Sequence, residues 1–162
     1  MADDFKYNFQ LSDTFQNRMS RLISDSGLHR NELKDYIGVS KDILIRAANV
    51  GMIPSTRSLI KIADYFGLSI EFLIGLTDDD TFSKADPPIS FQERLKELKE
   101  RSKTNFCEVA DSIGIARSLF RTWKTKDYIP TVEIMYNLAK YFNVSIDYLL
   151  GRTDIENYKR RA

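Results

Sequence analysis

The sequence predicts an all-α chain made of two tandem copies of one five-helix fold, preceded by a short extended arm. Three observations lead to this prediction: a gapless internal repeat, helix caps with helical spacing of apolar residues, and the absence of strand-like alternation from both copies. The chain has 162 residues, of which 43% are hydrophobic and 29% are charged, as is ordinary for a globular protein. This length allows one domain or two small ones.

The internal repeat gives the domain boundaries. An offset of 76 positions aligns residues 14–78 with residues 90–154 without a gap, and twenty of the 65 aligned pairs are identical, including Gly75 with Gly151. Two copies of one domain are therefore expected, each near the lower size limit for independent folding. The segment 79–89 between them is acidic and contains two consecutive prolines, which predicts a linker.

Each copy has the pattern of five short helices, which is clearest in the second copy. Ser90 with Glu93 predicts a capping box at the start of the first helix, and Asn105 with Glu108 predicts another at the second. Gly114 is expected to end the second helix, because glycine adopts the left-handed conformation at little cost. The third helix is expected to begin near residue 116. The inward-facing apolar residues of the last three helices are Phe120, Trp123, Met135, Leu138, Phe142, Ile146 and Leu149.

Before the first copy, apolar side chains occupy every second position from Phe5 to Leu11. Such alternation predicts a short strand with one apolar face. Because a lone strand leaves its backbone hydrogen bonds unmade, we expect it to pack as an extended arm. The alternative is pairing with the same strand of another subunit. In both cases Phe5, Tyr7 and Phe9 are candidate protein-interface residues.

Composition excludes several classes of function. One cysteine and one histidine allow no intrachain disulfide, zinc finger or multi-histidine metal site, and no cofactor is expected. Since no phosphate loop, nucleophile elbow or carboxylate pair occurs, we do not expect an enzyme. The first residues are acidic and lack the apolar segment of a signal peptide, and no apolar stretch could span a membrane. A cytoplasmic protein without a membrane partner is therefore expected.

The second copy carries a motif of known type. Its residues 109–123, VADSIGIARSLFRTW, place a glycine turn between two helices, and residues 144–151, VSIDYLLG, close the domain. Residues 90–154 resemble the Cro/lambda-repressor (XRE-type) helix-turn-helix domains of bacterial and phage regulators, and residues 14–78 resemble them less closely. The resemblance implies lambda-repressor-like domains in both copies and, in the second, a third helix that enters the major groove of double-stranded DNA.

The third helix of the second copy carries positive charge that the chain as a whole, at +1, does not. Its residues 117–126 include four basic residues and no acidic one. Arginine, serine and threonine on one exposed face can contact base edges, and lysines beyond them can contact phosphates. The resemblance adds the start of the second helix as a phosphate contact, although a polar residue is usual in the place of Phe106. The candidate DNA-contacting residues are Asn105, Phe106, Arg117, Ser118, Arg121, Thr122, Lys124 and Lys126.

The first copy differs at the matching segment, residues 41–50, which holds two basic residues and one acidic residue. Ile43 and Ile45 are expected on its surface, which is typical of a protein contact. We therefore expect the first copy to dimerise, to bind an effector or to bind DNA weakly. The alternative is a second DNA site formed by Arg30, Lys41, Arg46 and Asn49.

The function expected from these features is sequence-specific DNA binding by a transcriptional regulator, most simply a repressor. The alternative is a protein-interaction regulator, such as an antirepressor, antitoxin or adaptor, that uses the helix-turn-helix fold without specific DNA recognition. A homodimer on a palindrome and one chain spanning two successive major grooves are both open, and the sequence identifies no effector.

Overall fold

A computed structural model of the protein describes residues 9–125 and 127–157, with side chains described from residue 12 onward. The described residues form helices, turns and loops, and no β-strand occurs among them. They divide into two compact units, residues 9–82 and residues 83–157. Within this part of the chain, every helix is too short or too polar to cross a lipid bilayer.

The first unit contains five helices among the described residues. In chain order they are α1 (Phe9–Ser26), α2 (Arg30–Ile37), α3 (Lys41–Val50), α4 (Thr56–Phe66) and α5 (Ile70–Leu73). One apolar face of each helix is turned inward, as helical spacing requires. The largest buried side chains of this core are Phe15, Met19, Leu33, Leu44, Leu59, Ile62, Ile70, Leu73 and Ile74.

The second unit also contains five helices within the described residues. They are α6 (Phe91–Arg101), α7 (Phe106–Ile113), α8 (Ser118–Thr125), α9 (Val132–Phe142) and α10 (Ile146–Leu149). Helix α8 begins two residues later than the sequence predicts. The core of the second unit is built from Phe91, Leu95, Leu98, Val109, Ile113, Phe120, Trp123, Met135, Leu138 and Leu149.

Hydroxyl caps start most of these helices, because a serine or threonine oxygen can accept a backbone N–H that the helix leaves unpaired. The capping hydroxyls belong to Ser40, Ser55, Ser69, Ser90, Thr131 and Ser145. The predicted capping box of Ser90 with Glu93 is confirmed. The predicted box at α7 is only half formed, since Asn105 accepts the Glu108 N–H but the Glu108 carboxylate accepts the Thr104 hydroxyl instead.

The predicted strand over residues 5–11 is wrong at its end, because Phe9 already begins α1. Residues 5–8, and with them Phe5 and Tyr7, lie outside the described residues. Buried Phe15 and Met19 are four residues apart, and the same helical spacing continues back to Leu11. The helical spacing of apolar residues in α1 therefore overlaps the end of the alternating segment.

In each unit, an arginine on the first helix ties that helix to the end of the unit. The Arg18 guanidinium lies 3.9 Å from the centre of the Phe72 ring and pairs with Asp78 at 2.8 Å. Arg94 lies over the Tyr148 ring at the same distance of 3.9 Å. In the internal repeat, Arg18 aligns with Arg94 and Phe72 aligns with Tyr148. The same kind of cation–π contact therefore occurs at aligned positions of the two units.

The predicted linker, residues 79–89, does not behave as one free segment. Its second half packs on the second unit: the Thr153 hydroxyl donates to the Ser83 carbonyl at 2.6 Å, and the Ala85 N–H donates to the Arg152 carbonyl at 2.9 Å. Ala85 is buried. Residues 83–89 are therefore part of the second unit, which leaves only residues 79–82 of the predicted linker outside it.

Gly151 is required by this packing, which gives a prediction about stability. Its φ of +73° is left-handed, and a Cβ there would lie 1.9 Å from the Ile89 carbonyl oxygen. Gly114 has the same φ of +73° but open space around it, so it is a matched control. We expect Gly114→Ala to lower the free energy of unfolding by about 1–2 kcal/mol, from conformation alone. Gly151→Ala should lower it clearly further, because the backbone at Ile89 must move. Urea unfolding measures both losses. If the two variants lose the same free energy of unfolding, the packing of residues 83–89 is contradicted.

Candidate nucleic-acid interface

Helices α7 and α8 are joined by a tight turn that fixes the direction of α8. Gly114 ends α7 in the left-handed conformation, and its N–H donates to the Ala110 carbonyl. The inward face of α8 is anchored by Phe120 and Trp123, whose rings meet edge to face at 4.7 Å between centroids. Since Trp123 is 1% exposed, rotation of α8 about its axis is restricted by the core. The opposite face of α8 is consequently held toward solvent.

Arg121 and Lys124 are the cations of this outer face. Both side chains are exposed, and neither forms an ion pair with any residue that the structure describes. Ser118 is also exposed, and Thr122 is half-buried beside Arg121. Arg121 and Thr122 follow Ser118 at the three- and four-residue spacing that places side chains on one face. Lys126, the last candidate of this segment, lies outside the described residues.

Arg117 departs from the expectation of an unpaired cation. Its Nε and Nη2 groups donate to the two oxygens of the Asp111 carboxylate at 3.0 and 2.6 Å. The segment 117–126 contains no acidic residue, but α7 brings a carboxylate to it across the turn. The Asp111 carboxylate therefore lowers by one the local charge of +4 that the four basic residues of this segment give. Both side chains remain more than half exposed, at 63% for Arg117 and 57% for Asp111, so the pair is open to exchange with another anion.

The hydrogen bonds from Arg117 hold the pKa of the Asp111 carboxyl below its ordinary value. The same contact raises the pKa of Arg117, and a smaller contribution comes from Cys107, on the neighbouring surface of α7. Because the pKa of Asp111 is lowered in the folded chain, the pair stabilises the fold above the ordinary titration range of aspartate. That contribution is lost as the pH falls through the lowered pKa. Both charges are consequently present at neutral pH.

The start of α7 lies beside this surface. Asn105 is exposed and caps the helix by accepting the Glu108 N–H at 3.0 Å. Phe106 is half-buried and stacks on Phe120, with 4.7 Å between ring centroids. Its ring therefore supports the base of α8 as well as facing solvent, which accounts for an apolar residue at this position.

The candidate second DNA site, in the first unit, is largely paired within itself. Arg46 pairs with Asp42 at 3.0 Å, and Arg30 donates to the Asn49 side chain at 3.3 Å. Lys41 is exposed and has no ion pair among the described residues. Helix α3 therefore offers one cation without a carboxylate or amide partner among the described residues, whereas α8 offers two.

Two apolar residues of α3 are less exposed than the sequence predicts. Ile43 and Ile45 are half-buried, because they lie at the edges of the face that buries Leu44 and Ala47. Larger exposed apolar surface lies at the end of α3 and just after it, at Val50 and Met52, and on two other helices, at Tyr36 and Tyr65. Within the described part of the chain, no group of three His, Cys, Asp or Glu side chains comes together as a metal site requires.

Comparison with known proteins gives similarities to helix-turn-helix domains and regulators. Residues 93–155 match the family described as the bacteriophage CI repressor helix-turn-helix domain. The chain is 34% identical over 62 residues to the uncharacterized HTH-type transcriptional regulator YobD of Bacillus subtilis, a match that covers 38% of this chain and 55% of YobD. It is 28% identical over 64 residues to the cryptic phage CTXphi transcriptional repressor RstR of Vibrio cholerae, which covers 40% of this chain and 57% of RstR.

The chain spans about half the length of these curated relatives. No solved structure matches the chain significantly. Since the family match includes α7, the glycine turn and α8, it supports a helix-turn-helix domain of the XRE/lambda-repressor-like type in the second unit.

Proposed function

We propose that this protein is a sequence-specific DNA-binding transcriptional regulator, acting as a repressor, and that α8 of the second unit enters the major groove. It occupies its DNA site and blocks access of the transcription machinery, without catalysis. The similarity to helix-turn-helix regulators, one of them a phage repressor, supports this class of function. We extend the proposal to the first unit as a second, divergent domain of the same type.

The observation that carries the proposal is the two-sided construction of α8. Phe120 and Trp123 fix one side in the core, and the other side presents Arg121 and Lys124 without carboxylate partners in the described chain. A rigid helix with arginine on its outer face can form paired hydrogen bonds to guanine, while lysine at its end contacts phosphate. Ser118 and Thr122 add short hydrogen-bonding groups to the same face.

The Asp111 pair gives Arg117 a defined part in this proposal. A guanidinium has five N–H groups, and Asp111 engages only the edge formed by Nε and Nη2. The end formed by Nη1 and the second N–H of Nη2 points away from the carboxylate and can still bond to a base. Asp111 therefore acts as a positioning residue that orients Arg117 before DNA arrives, which lowers the entropy lost on binding.

This role predicts opposite effects of Asp111→Asn on two measurable affinities. Affinity for random duplex DNA should rise a few-fold, because a negative charge near the phosphates is removed. The ratio of specific to random affinity should fall, since Arg117 loses its fixed orientation. Asp25→Asn removes a comparably exposed carboxylate from α1 and should change neither value. Gel shifts over a range of salt concentrations measure both, and an unchanged or increased ratio for Asp111→Asn would refute the orienting role.

The direct test of the function is selection of bound sites from a random duplex library with the full chain. We expect one enriched motif, and failure to enrich any motif would overturn specific recognition. A palindromic motif would indicate a homodimer, and two dissimilar boxes would indicate that one chain places both units on DNA.

A second function, binding to another protein through the first unit, is favoured by two observations. The side chains of Arg46 and Arg30 have partners within the unit, whereas Val50 and Met52 are 63% and 51% exposed at the end of α3. An antirepressor, antitoxin or adaptor acting in this way would show little affinity for random duplex DNA at low salt. A regulator that binds through α8 should bind such DNA measurably under the same conditions.

A further inference from the structure

We propose that a groove between α6 and α8 of the second unit binds a small amphipathic organic anion, a flat apolar body that carries one carboxylate or sulfonate. The groove has a volume of about 230 Å³. Its floor is formed by Leu95, Phe106, Phe120 and Trp123. Since a cavity of roughly 150 Å³ accommodates benzene, there is room for a body of one or two fused rings.

The rim of the groove determines the charge of the ligand. Lys96, Lys99 and Lys124 line it, and none of them pairs with a carboxylate in the described part of the chain. The one acidic side chain at the rim, Glu93, already accepts the Ser90 N–H at 3.0 Å in the capping box. Three lysines around an aromatic floor therefore attract an anion that also has an apolar surface to bury.

The groove is a property of the second unit and not of the five-helix arrangement itself. In the first unit, Ser20 and Ala48 align with Lys96 and Lys124, and Ala47 aligns with Trp123. There the Ser20 hydroxyl donates to the Ala48 carbonyl at 2.8 Å, so α1 lies directly against α3. In the second unit two lysines and a tryptophan occupy the aligned places, and the groove lies between the corresponding helices.

The groove overlaps the surface assigned to DNA, which predicts competition. Phe106 and Lys124 belong both to the groove and to the candidate DNA-contacting residues. A bound anion neutralises Lys124 and covers Phe106, so it should weaken DNA binding. This coupling rests on the proposed function, whereas binding of the anion does not.

The single tryptophan provides a specific probe of the groove. We would titrate the ¹⁵N-labelled full chain with 2-naphthoate and follow the indole N–H signal of Trp123. We expect a saturable shift, with binding at least about tenfold weaker for the neutral 2-naphthalenemethanol, because the rim charges act only on the anion. Inorganic phosphate, which has charge without an apolar body, should leave the signal in place.

Substitution of the rim lysines tests whether they bind the anion. Lys96→Gln combined with Lys99→Gln should weaken naphthoate binding by about tenfold, through the loss of two nearby charges. Lys84→Gln, an exposed lysine of the same unit outside the groove, should leave it unchanged. The proposal is overturned if naphthoate causes no saturable shift, if the alcohol or phosphate binds equally, or if the double variant binds as the unmodified chain does. It is also overturned if the indole signal moves with protein concentration alone, since a second copy then covers the groove.

Gel shifts with naphthoate test the coupling separately. Reduced affinity for duplex DNA supports competition, and unchanged affinity with a saturated groove refutes the competition while the site stands. If the chain binds no DNA at all, the proposed function fails, and the titration of Trp123 still decides whether the groove binds anions.

Discussion

Replacing Arg117 and Arg121 together by alanine is expected to lower affinity for the selected DNA site by at least about 30-fold, because each arginine paired with a guanine contributes about 1–3 kcal/mol of discrimination. Both side chains are exposed and extend from or just before α8, which is anchored by Trp123. Affinity for random duplex DNA should fall much less, since it depends on total charge. The ratio of the two affinities, measured by gel shift, should therefore fall.

Two single changes provide controls for this result. Arg21→Ala removes an exposed arginine from α1, with no ion pair among the described residues, and should leave the ratio unchanged. Arg121→Ala alone should lower the ratio even with the Asp111–Arg117 pair intact. If the double variant retains the full ratio of specific to random affinity, base recognition by these arginines is wrong.

Trp123→Ala is expected to be the most destabilising of the substitutions considered. Truncation of a buried tryptophan costs about 3–5 kcal/mol, a large share of the stability of a small domain. Trp123 contacts the rings of both Phe120 and Phe91, so its removal takes away the aromatic contact between α8 and α6. We expect a lower urea midpoint, followed by far-UV circular dichroism, and weaker DNA binding because α8 is no longer held in place.

Tyr128→Ala is the matched aromatic control, since this ring is 51% exposed. Its effect should stay within about 0.5 kcal/mol, as is usual for a surface position. Similar midpoints for the two variants would show that Trp123 is not the anchor of α8.

The helices could be predicted from the sequence largely because their signals are local. Ser90 with Glu93 and the glycine at 114 act within a few residues, and both are found as expected. The strand predicted over residues 5–11 is wrong at its end, where Phe9 begins α1. Four apolar residues at period two, from Phe5 to Leu11, fit a strand locally. The last of them, Leu11, also continues the helical spacing of Phe15 and Met19, and helix propagation adds one backbone hydrogen bond per residue.

The candidate site was harder to predict, since its important contacts cross between helices. Asp111 precedes Arg117 by six residues, and only the turn at Gly114 brings the two together. The lysines of the groove also belong to no motif that can be recognised within a few residues of sequence. A signal was present in the repeat alignment, where Ser20 and Ile23 of the first copy become Lys96 and Lys99 in the second. The proposed anion site depends on these two charges, which the first copy lacks.

Protection of a single cysteine tests most directly whether the outer face of α8 lies against DNA. Cys107 is the one cysteine of the sequence, so a Cys107→Ser, Ser118→Cys chain carries its only thiol on that face. With a selected duplex, the rate of maleimide alkylation should fall in proportion to the unbound fraction. A Cys107→Ser, Lys84→Cys chain should react at the same rate with and without DNA. An unchanged rate at position 118 in saturating duplex would contradict the placement of α8 in the groove.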